Sequence, residues 1–179
     1  EGGHSRLTVG FPRMRKEPGE RRDFLPQLLE GLARHGADIV AERGIGSGMS
    51  YADSAYTASG PHVRLGSHSE AYEQGMVVVL RCPNDDELDL IRPGAVLVSM
   101  LHFPTRPARV ERLGWQKVDA IAMDCIVDDS GTRLVEDSRA VAWNGLEAAF
   151  DALERTYTNF QDRERPPIRV MVMGAGAIG

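Results

Sequence analysis

Three glycines near the end of the chain have the spacing of a dinucleotide-binding turn. Gly174, Gly176 and Gly179 complete a G-x-G-x-x-G pattern. In such a turn the first glycine permits a sharp bend, the second lets the backbone approach a pyrophosphate, and the third lets a helix pack closely. A glycine-rich turn need not bind a ligand, but the apolar run Ile168–Met173 precedes this one, as a buried strand would. The sequence therefore predicts that these glycines contact NAD or NADP.

One histidine stands where an acid–base catalyst is expected. His102 follows the apolar run Ala95–Met100 after a single leucine. An imidazole titrates near neutral pH, so it can both donate and accept a proton. If the run is a strand of an open parallel sheet, its carboxyl end lies where ligands bind. A lone histidine is more often a packing or surface residue, so the placement is what makes His102 a candidate catalytic residue. No role is predicted for His62 and His68, which are expected in short polar loops.

Strand-like and helix-like segments alternate along the chain. The predicted strands are short apolar runs: Arg6–Gly10, Ala37–Glu42, Met76–Arg81, Ala95–Met100 and Asp119–Met123. The predicted helices carry an apolar stripe: Phe24–His35, Pro107–Leu113 and Ser138–Tyr157. Gly36 is expected to end the first helix, and Asp137 or Ser138 to cap the last. Continuous apolar strands suit burial on both faces, so the sequence predicts an α/β fold with a parallel, Rossmann-like sheet.

The strongest linker candidate is the segment 158–167 (TNFQDRERPP), which is polar and ends in two prolines. We therefore expect an N-terminal catalytic or substrate lobe at residues 1–157, the linker at 158–167, and the start of a Rossmann NAD(P)-binding domain at 168–179. The first strand of that domain is predicted at Ile168–Met173. Its phosphate-binding helix and ribose-binding acid are expected to follow Gly179, so we expect the sequence to be part of a longer protein.

Composition argues against several function classes. The net charge is −5, and acidic residues interrupt the densest basic cluster, which disfavours a nucleic-acid surface. Cys82 and Cys125 lack C-x-x-C spacing, so neither a disulfide framework nor a structural zinc is predicted, and both are expected to be buried. No other metal-ligand spacing is present. We expect a cytoplasmic protein, because no apolar run is long enough to span a membrane and the N-terminus does not have the pattern of a signal peptide.

From about Leu7 to Gly179, the order of these motifs resembles that of the alanine dehydrogenase and pyridine-nucleotide transhydrogenase superfamily. Members of that superfamily have a substrate lobe followed by a Rossmann domain. The resemblance rests on short segments that occur in the family's order: Glu20–Arg22 (ERR), Glu42–Gly48 (ERGIGSG), Val79–Pro83 (VLRCP), Val98–Pro104 (VSMLHFP), Asp119–Asp124 (DAIAMD) and Pro166–Gly174 (PPIRVMVMG). The last two are closer to the transhydrogenases, so the branch of the superfamily stays open.

The resemblance implies roles for three residues. Arg22 occupies the position of a family arginine that binds the substrate carboxylate, a task that suits a guanidinium because it can form two parallel hydrogen bonds. Arg81 stands where the dehydrogenases have a lysine that contacts the substrate. It keeps the positive charge but does not readily donate a proton at neutral pH. His102 matches the catalytic histidine of the dehydrogenases, which the transhydrogenases generally lack.

These residues predict reversible oxidative deamination of a small amino acid, or reduction of a related 2-oxo acid imine, with NAD or NADP as cofactor. The expected substrate is a small anionic amino acid or 2-oxo acid. The lobe alone is expected to be inactive, the protein to be a homo-oligomer, and this segment to contact neither nucleic acid nor membrane. Two alternatives stay open: a transhydrogenase alpha-subunit-like nucleotide domain, and a non-catalytic ligand-sensing or assembly domain of the same fold.

Overall fold

The computed structural model describes residues 6–14 and 23–174. The chain divides into two compact units, Glu1–Ile126 and Val127–Gly179. The strands of the first unit are β1 (Thr8–Phe11), β2 (Asp38–Glu42), β3 (Val63–Gly66), β4 (Met76–Arg81), β5 (Val96–Met100) and β6 (Asp119–Ala122). Its α-helices are α1 (Pro26–Arg34), α2 (Asp53–Thr57), α3 (His68–Tyr72), α4 (Asp85–Leu88) and α5 (Pro107–Gln116).

The six strands form one sheet in the order β3-β2-β1-β4-β5-β6, and every neighbouring pair is parallel. The predicted parallel α/β fold is therefore confirmed. The chain winds outward from β1 through β2 to β3, then returns to the other side of β1 and winds outward again from β4. The strand order thus switches between β1 and β4, and such sheets bind ligands beside the carboxyl ends of their strands. We call that end of the sheet the carboxyl edge.

The sheet is buried on both faces, as the continuous apolar runs predict. Val77 and Val79 of β4 join one hydrophobic cluster, with Leu97, Leu101 and other residues of the β4–β6 half. Val78, between them in the sequence, joins a second cluster built around β1, β2 and α1. Successive strand residues point to opposite faces, so an uninterrupted valine run supplies both cores at once.

The predicted bounds match the structure most closely where the apolar run is long. The bounds of β4 agree with the prediction at both ends, and those of β2 and β5 differ by one residue at their starts. Helix α1 ends as expected, because Gly36 adopts a φ of 92°, a left-handed conformation that favours glycine. Helix α5 extends to Gln116, beyond the predicted end at Leu113.

Four elements of the first unit are absent from the sequence prediction. Strand β3 has only four residues, and Arg64 in its middle is exposed, so its sequence lacks an apolar run. Helices α2, α3 and α4 contain five, five and four residues, too few to show a helical apolar stripe. Helices α3 and α4 are instead marked by capping boxes, Ser67 with Glu70 and Asn84 with Glu87.

Helix α3 packs very closely on the middle of the sheet. A Cβ atom placed on Gly10 of β1 would lie 1.7 Å from the carbonyl oxygen of Ala71 in α3. Both Ala71 and its neighbour Tyr72 are buried. Only a residue without a side chain fits at position 10, so this glycine sets the distance between α3 and the sheet.

The second unit contains one long helix, α6 (Ser138–Thr156), close to the predicted Ser138–Tyr157. Asp137 caps it as predicted, because its side chain accepts hydrogen bonds from the N–H groups of Arg139 and Ala140 at 3.1 and 3.0 Å. The strand predicted at Ile168–Met173 is not formed, and Met171 is 86% exposed. A strand exists only through hydrogen bonds to a neighbour, and no described segment of this unit pairs with these residues.

No helix in the described ranges, 6–14 and 23–174, is both long enough and apolar enough to span a membrane.

Candidate active site

His102 lies at the carboxyl edge, two residues after β5 ends. It begins a short 3-10 turn over Phe103–Thr105, and its backbone is in the left-handed region, with φ 51° and ψ 43°. Few residues other than glycine adopt this conformation, and it costs about 1 kcal/mol or more. The imidazole is 52% exposed. The imidazole is therefore accessible to solvent, and it follows a strained backbone at the edge where open parallel sheets generally bind ligands.

Asp124 holds this turn from the neighbouring strand. It follows β6, it lies within the 3-10 turn Met123–Cys125, and its carboxylate is only 5% exposed. One carboxylate oxygen, Oδ1, accepts the N–H of Leu101 at 2.8 Å. The N–H of His102 donates to both oxygens, at 3.2 and 3.1 Å. The Oδ2 atom also lies 3.4 Å from Nδ1 of the His102 imidazole.

These contacts keep Asp124 ionised despite its burial. Burial disfavours the charged form, but the N–H groups of His102 and Leu101 and the charge of His102 outweigh it and lower the pKa of the Asp124 carboxyl. Since the pKa is lower in the folded protein, the stabilisation is complete at neutral pH. It is lost as the pH falls through the lowered pKa.

Helix α5 holds the same turn from its other side. Arg109 donates a hydrogen bond from its guanidinium to the carbonyl oxygen of Leu101 at 2.8 Å.

Cys82, next to Arg81, is half-buried, and burial raises the pKa of its thiol, although Arg109 opposes that rise. The expectation that both cysteines are buried is wrong for Cys125, which is exposed. Cys125 ends the 3-10 turn that follows β6, so it lies beyond the strand.

Arg81 shares the carboxyl edge with His102. It is the last residue of β4, it is exposed, and it pairs with Met100 at the end of β5. The register between β4 and β5 shifts between Val78 and Arg81, so the end of β4 is irregular. The structure thus brings Arg81 and His102 to the ends of neighbouring strands.

A second polar cluster at the carboxyl edge was missed by the sequence prediction. Glu42, at the end of β2, accepts the N–H of Arg13 at 2.7 Å and contacts Nδ1 of His68 at 2.9 Å. The other ring nitrogen of His68 lies 3.9 Å from Glu87 of α4. His68 therefore begins a helix and links two largely buried carboxylates, and the prediction of a loop residue is wrong.

Not every predicted site residue can be located. Arg22, Gly176 and Gly179 lie outside the described residues. Gly174 lies in the second unit with a φ of 101°, in the positive region that favours glycine. Within 6–14 and 23–174, no three His, Cys, Asp or Glu side chains are grouped so that they could hold a metal ion.

The fold has clear counterparts among known proteins. The model of the family described as alanine dehydrogenase/PNT, N-terminal domain, matches residues 10–137. An L-alanine dehydrogenase of known structure superimposes with a TM-score of 0.73 at 25% sequence identity, covering 84% of this chain and 42% of that one. The region matched by the family model, residues 10–137, includes the whole six-stranded sheet except the first two residues of β1.

Relatives come from both branches of that family. The NAD(P) transhydrogenase subunit alpha of Haemophilus influenzae is 25% identical over 97% of this chain. The alanine dehydrogenase of Bilophila wadsworthia is 29% identical over 70% of it. The chain spans only 35% and 33% of the lengths of these two proteins.

Proposed function

The chain belongs to the alanine dehydrogenase/PNT N-terminal domain family, and on this premise we propose that it is the substrate lobe of an NAD(P)-dependent oxidoreductase. The proposed substrate is a small anionic amino acid or its 2-oxo acid. The observation that carries the proposal is His102, an exposed imidazole on a strained turn at the carboxyl edge, beside a buried carboxylate. That arrangement suits proton transfer to a bound molecule.

The nicotinamide nucleotide is proposed to bind at the glycine turn of the second unit. Gly174 has a φ of 101°, a conformation that favours glycine, which is compatible with the sharp bend expected of the first glycine of this pattern. Gly174, Gly176 and Gly179 would surround the pyrophosphate. A bound nicotinamide supplies or accepts the hydride, and this lobe provides substrate orientation and proton transfer.

The chain's own residues divide the remaining work. Arg22 and Arg81 are proposed to hold the substrate carboxylate, because a guanidinium can form paired hydrogen bonds with it. In the oxidative direction, His102 accepts the proton that water loses as it adds to the imine carbon. In the reverse direction His102 returns that proton. Since hydrolysis of the imine releases ammonia, the overall reaction is a reversible oxidative deamination.

We propose a substrate lobe at residues 1–157, a linker at 158–167 and a dinucleotide-binding domain from residue 168. We also propose a cytoplasmic homo-oligomer.

A second candidate function is a transhydrogenase-like lobe, which would pass hydride between two nucleotides without an organic substrate. The match to a transhydrogenase alpha subunit over 97% of the chain favours it. His102 favours the dehydrogenase, since hydride exchange between nucleotides needs no acid–base group for an organic substrate.

A substrate screen separates these candidates. The screen uses protein in which this lobe is followed by a complete dinucleotide-binding domain. In the oxidative assay it is incubated with NAD or NADP and a panel of amino acids. In the reductive assay it is incubated with a reduced nucleotide, ammonia and a panel of 2-oxo acids. Nicotinamide absorbance reports turnover. We expect turnover with at least one small amino acid and its 2-oxo acid. Hydride exchange between a reduced nucleotide and an oxidised nucleotide analogue whose reduced form absorbs at a different wavelength, with no amino acid or 2-oxo acid turned over, would support the transhydrogenase-like candidate instead.

A further inference from the structure

The carboxylate of Asp124 makes more contacts to His102 than a simple ion pair needs. It receives the backbone N–H of His102 on both oxygens and the N–H of Leu101 on one. Its Oδ2 atom also lies within 3.4 Å of the imidazole Nδ1. The same buried group therefore contacts both the backbone and the ring of one residue.

The left-handed backbone of His102 explains why the turn needs these bonds. A histidine at φ 51° is strained, and strained residues persist only where their surroundings hold them. Asp124 binds the N–H groups of the turn, and Arg109 binds the carbonyl oxygen of Leu101. The ring is 52% exposed, and its Nδ1 atom lies 3.4 Å from Oδ2 of Asp124.

We propose that Asp124 is a positioning residue for His102, which holds the proton of neutral His102 on Nδ1 and leaves Nε2 free to exchange protons with the substrate. A carboxylate accepts but does not donate hydrogen bonds when ionised, so the facing ring nitrogen carries the proton. When Nε2 accepts a proton from the substrate side, the imidazolium forms beside the carboxylate and is stabilised by it. The proton on Nδ1 stays in place throughout. This inference rests on the proposed function for its catalytic consequence, but not for the tautomer.

Nitrogen-15 NMR of the imidazole tests the tautomer without any activity. In the wild-type protein, at a pH at which the imidazole ring is neutral, we expect the His102 signals to show the Nδ1–H tautomer. In Asp124→Asn, which keeps an oxygen that can accept a backbone N–H but lacks the negative charge, the tautomer preference should shift toward Nε2–H. Asp119→Asn is the matched control, since Asp119 is an exposed carboxylate at the other end of the same strand. A wild-type Nε2–H tautomer would overturn the inference, even if Asp124→Asn failed to fold.

Kinetics then test the catalytic consequence with the protein that carries the complete second domain. Turnover in folded Asp124→Asn should fall roughly 10- to 100-fold, by analogy with the loss of a carboxylate that orients a metal-bound histidine. The KM for the substrate should change only a few-fold, because the Asp124 side chain is 5% exposed and is not accessible to a substrate. Wild-type turnover in folded Asp124→Asn, together with an unchanged tautomer, would overturn the inference while leaving His102 and the proposed function intact. If wild-type protein turned over no amino acid, the proposed function would fail and the NMR result would still stand.

Discussion

Replacing His102 with alanine is expected to lower turnover by roughly 100- to 10,000-fold, the range typical of a general acid–base group. The expectation follows from an exposed imidazole at the carboxyl edge, which Asp124 contacts and which follows β5, the strand paired with β4 at Arg81. Nucleotide affinity should change little, because the proposed glycine turn lies in the other compact unit. The measurement is turnover per folded active site, with thermal melting and nucleotide binding measured on the same samples.

Two matched variants show whether the loss is specific. His35→Ala should behave as wild type, because His35 is an exposed residue that ends α1, before β2 begins. Arg22→Ala should mainly weaken substrate binding, with a further loss of turnover if orientation is lost. Normal turnover in a folded His102→Ala protein would refute the catalytic assignment and favour the transhydrogenase-like or non-catalytic alternatives.

The largest expected effect on stability is at Gly10. In Gly10→Ala the new Cβ would lie 1.7 Å from the carbonyl oxygen of Ala71, so α3 must move away from the sheet. Displacing a buried helix backbone is among the few changes that cost more than about 4 kcal/mol. We expect the melting temperature to fall by about 10 °C or more, or the protein to fail to fold. Thermal and chemical denaturation followed by circular dichroism measure the change.

The control for this variant is a glycine with free space around it. Gly31 lies inside α1, and a Cβ placed on it would meet nothing within 4 Å. Because alanine favours a helix over glycine, Gly31→Ala should raise the free energy of unfolding by about 0.5–1 kcal/mol. If Gly10→Ala melted at the wild-type temperature, the close packing of α3 on β1 would be wrong.

Periodicity in the sequence predicts most of the sheet because burial on both faces leaves long apolar runs. The β4 run, Met76–Arg81, is such a case, and its predicted bounds agree with the structure. Strand β3 could not be found in this way, because its exposed Arg64 interrupts the apolar pattern. The strand expected at Ile168–Met173 shows the opposite error. An apolar run is necessary for a buried strand but not sufficient, since a strand also needs a partner.

The candidate site was predictable where it depends on topology. Once β4 and β5 are taken as neighbouring parallel strands, Arg81, which ends β4, and His102, which follows the end of β5, must share one edge. Contacts between distant segments were not predictable, because side-chain distances depend on packing. Glu42 and His68 are 26 residues apart and still form a 2.9 Å contact. Asp124 offered one usable signal, since it directly follows the predicted strand Asp119–Met123, as His102 follows its own.

We propose that a substrate binds at the carboxyl edge of this lobe and exchanges a proton with His102. A crystal structure of the protein with its complete dinucleotide-binding domain, a 2-oxo acid and a reduced nicotinamide nucleotide tests it most directly. We expect the 2-oxo acid at the carboxyl edge, with its carboxylate on Arg81 or Arg22 and its carbonyl oxygen within hydrogen-bond distance of Nε2 of His102. A 2-oxo acid bound away from His102, with the nicotinamide beside it, would contradict the claim.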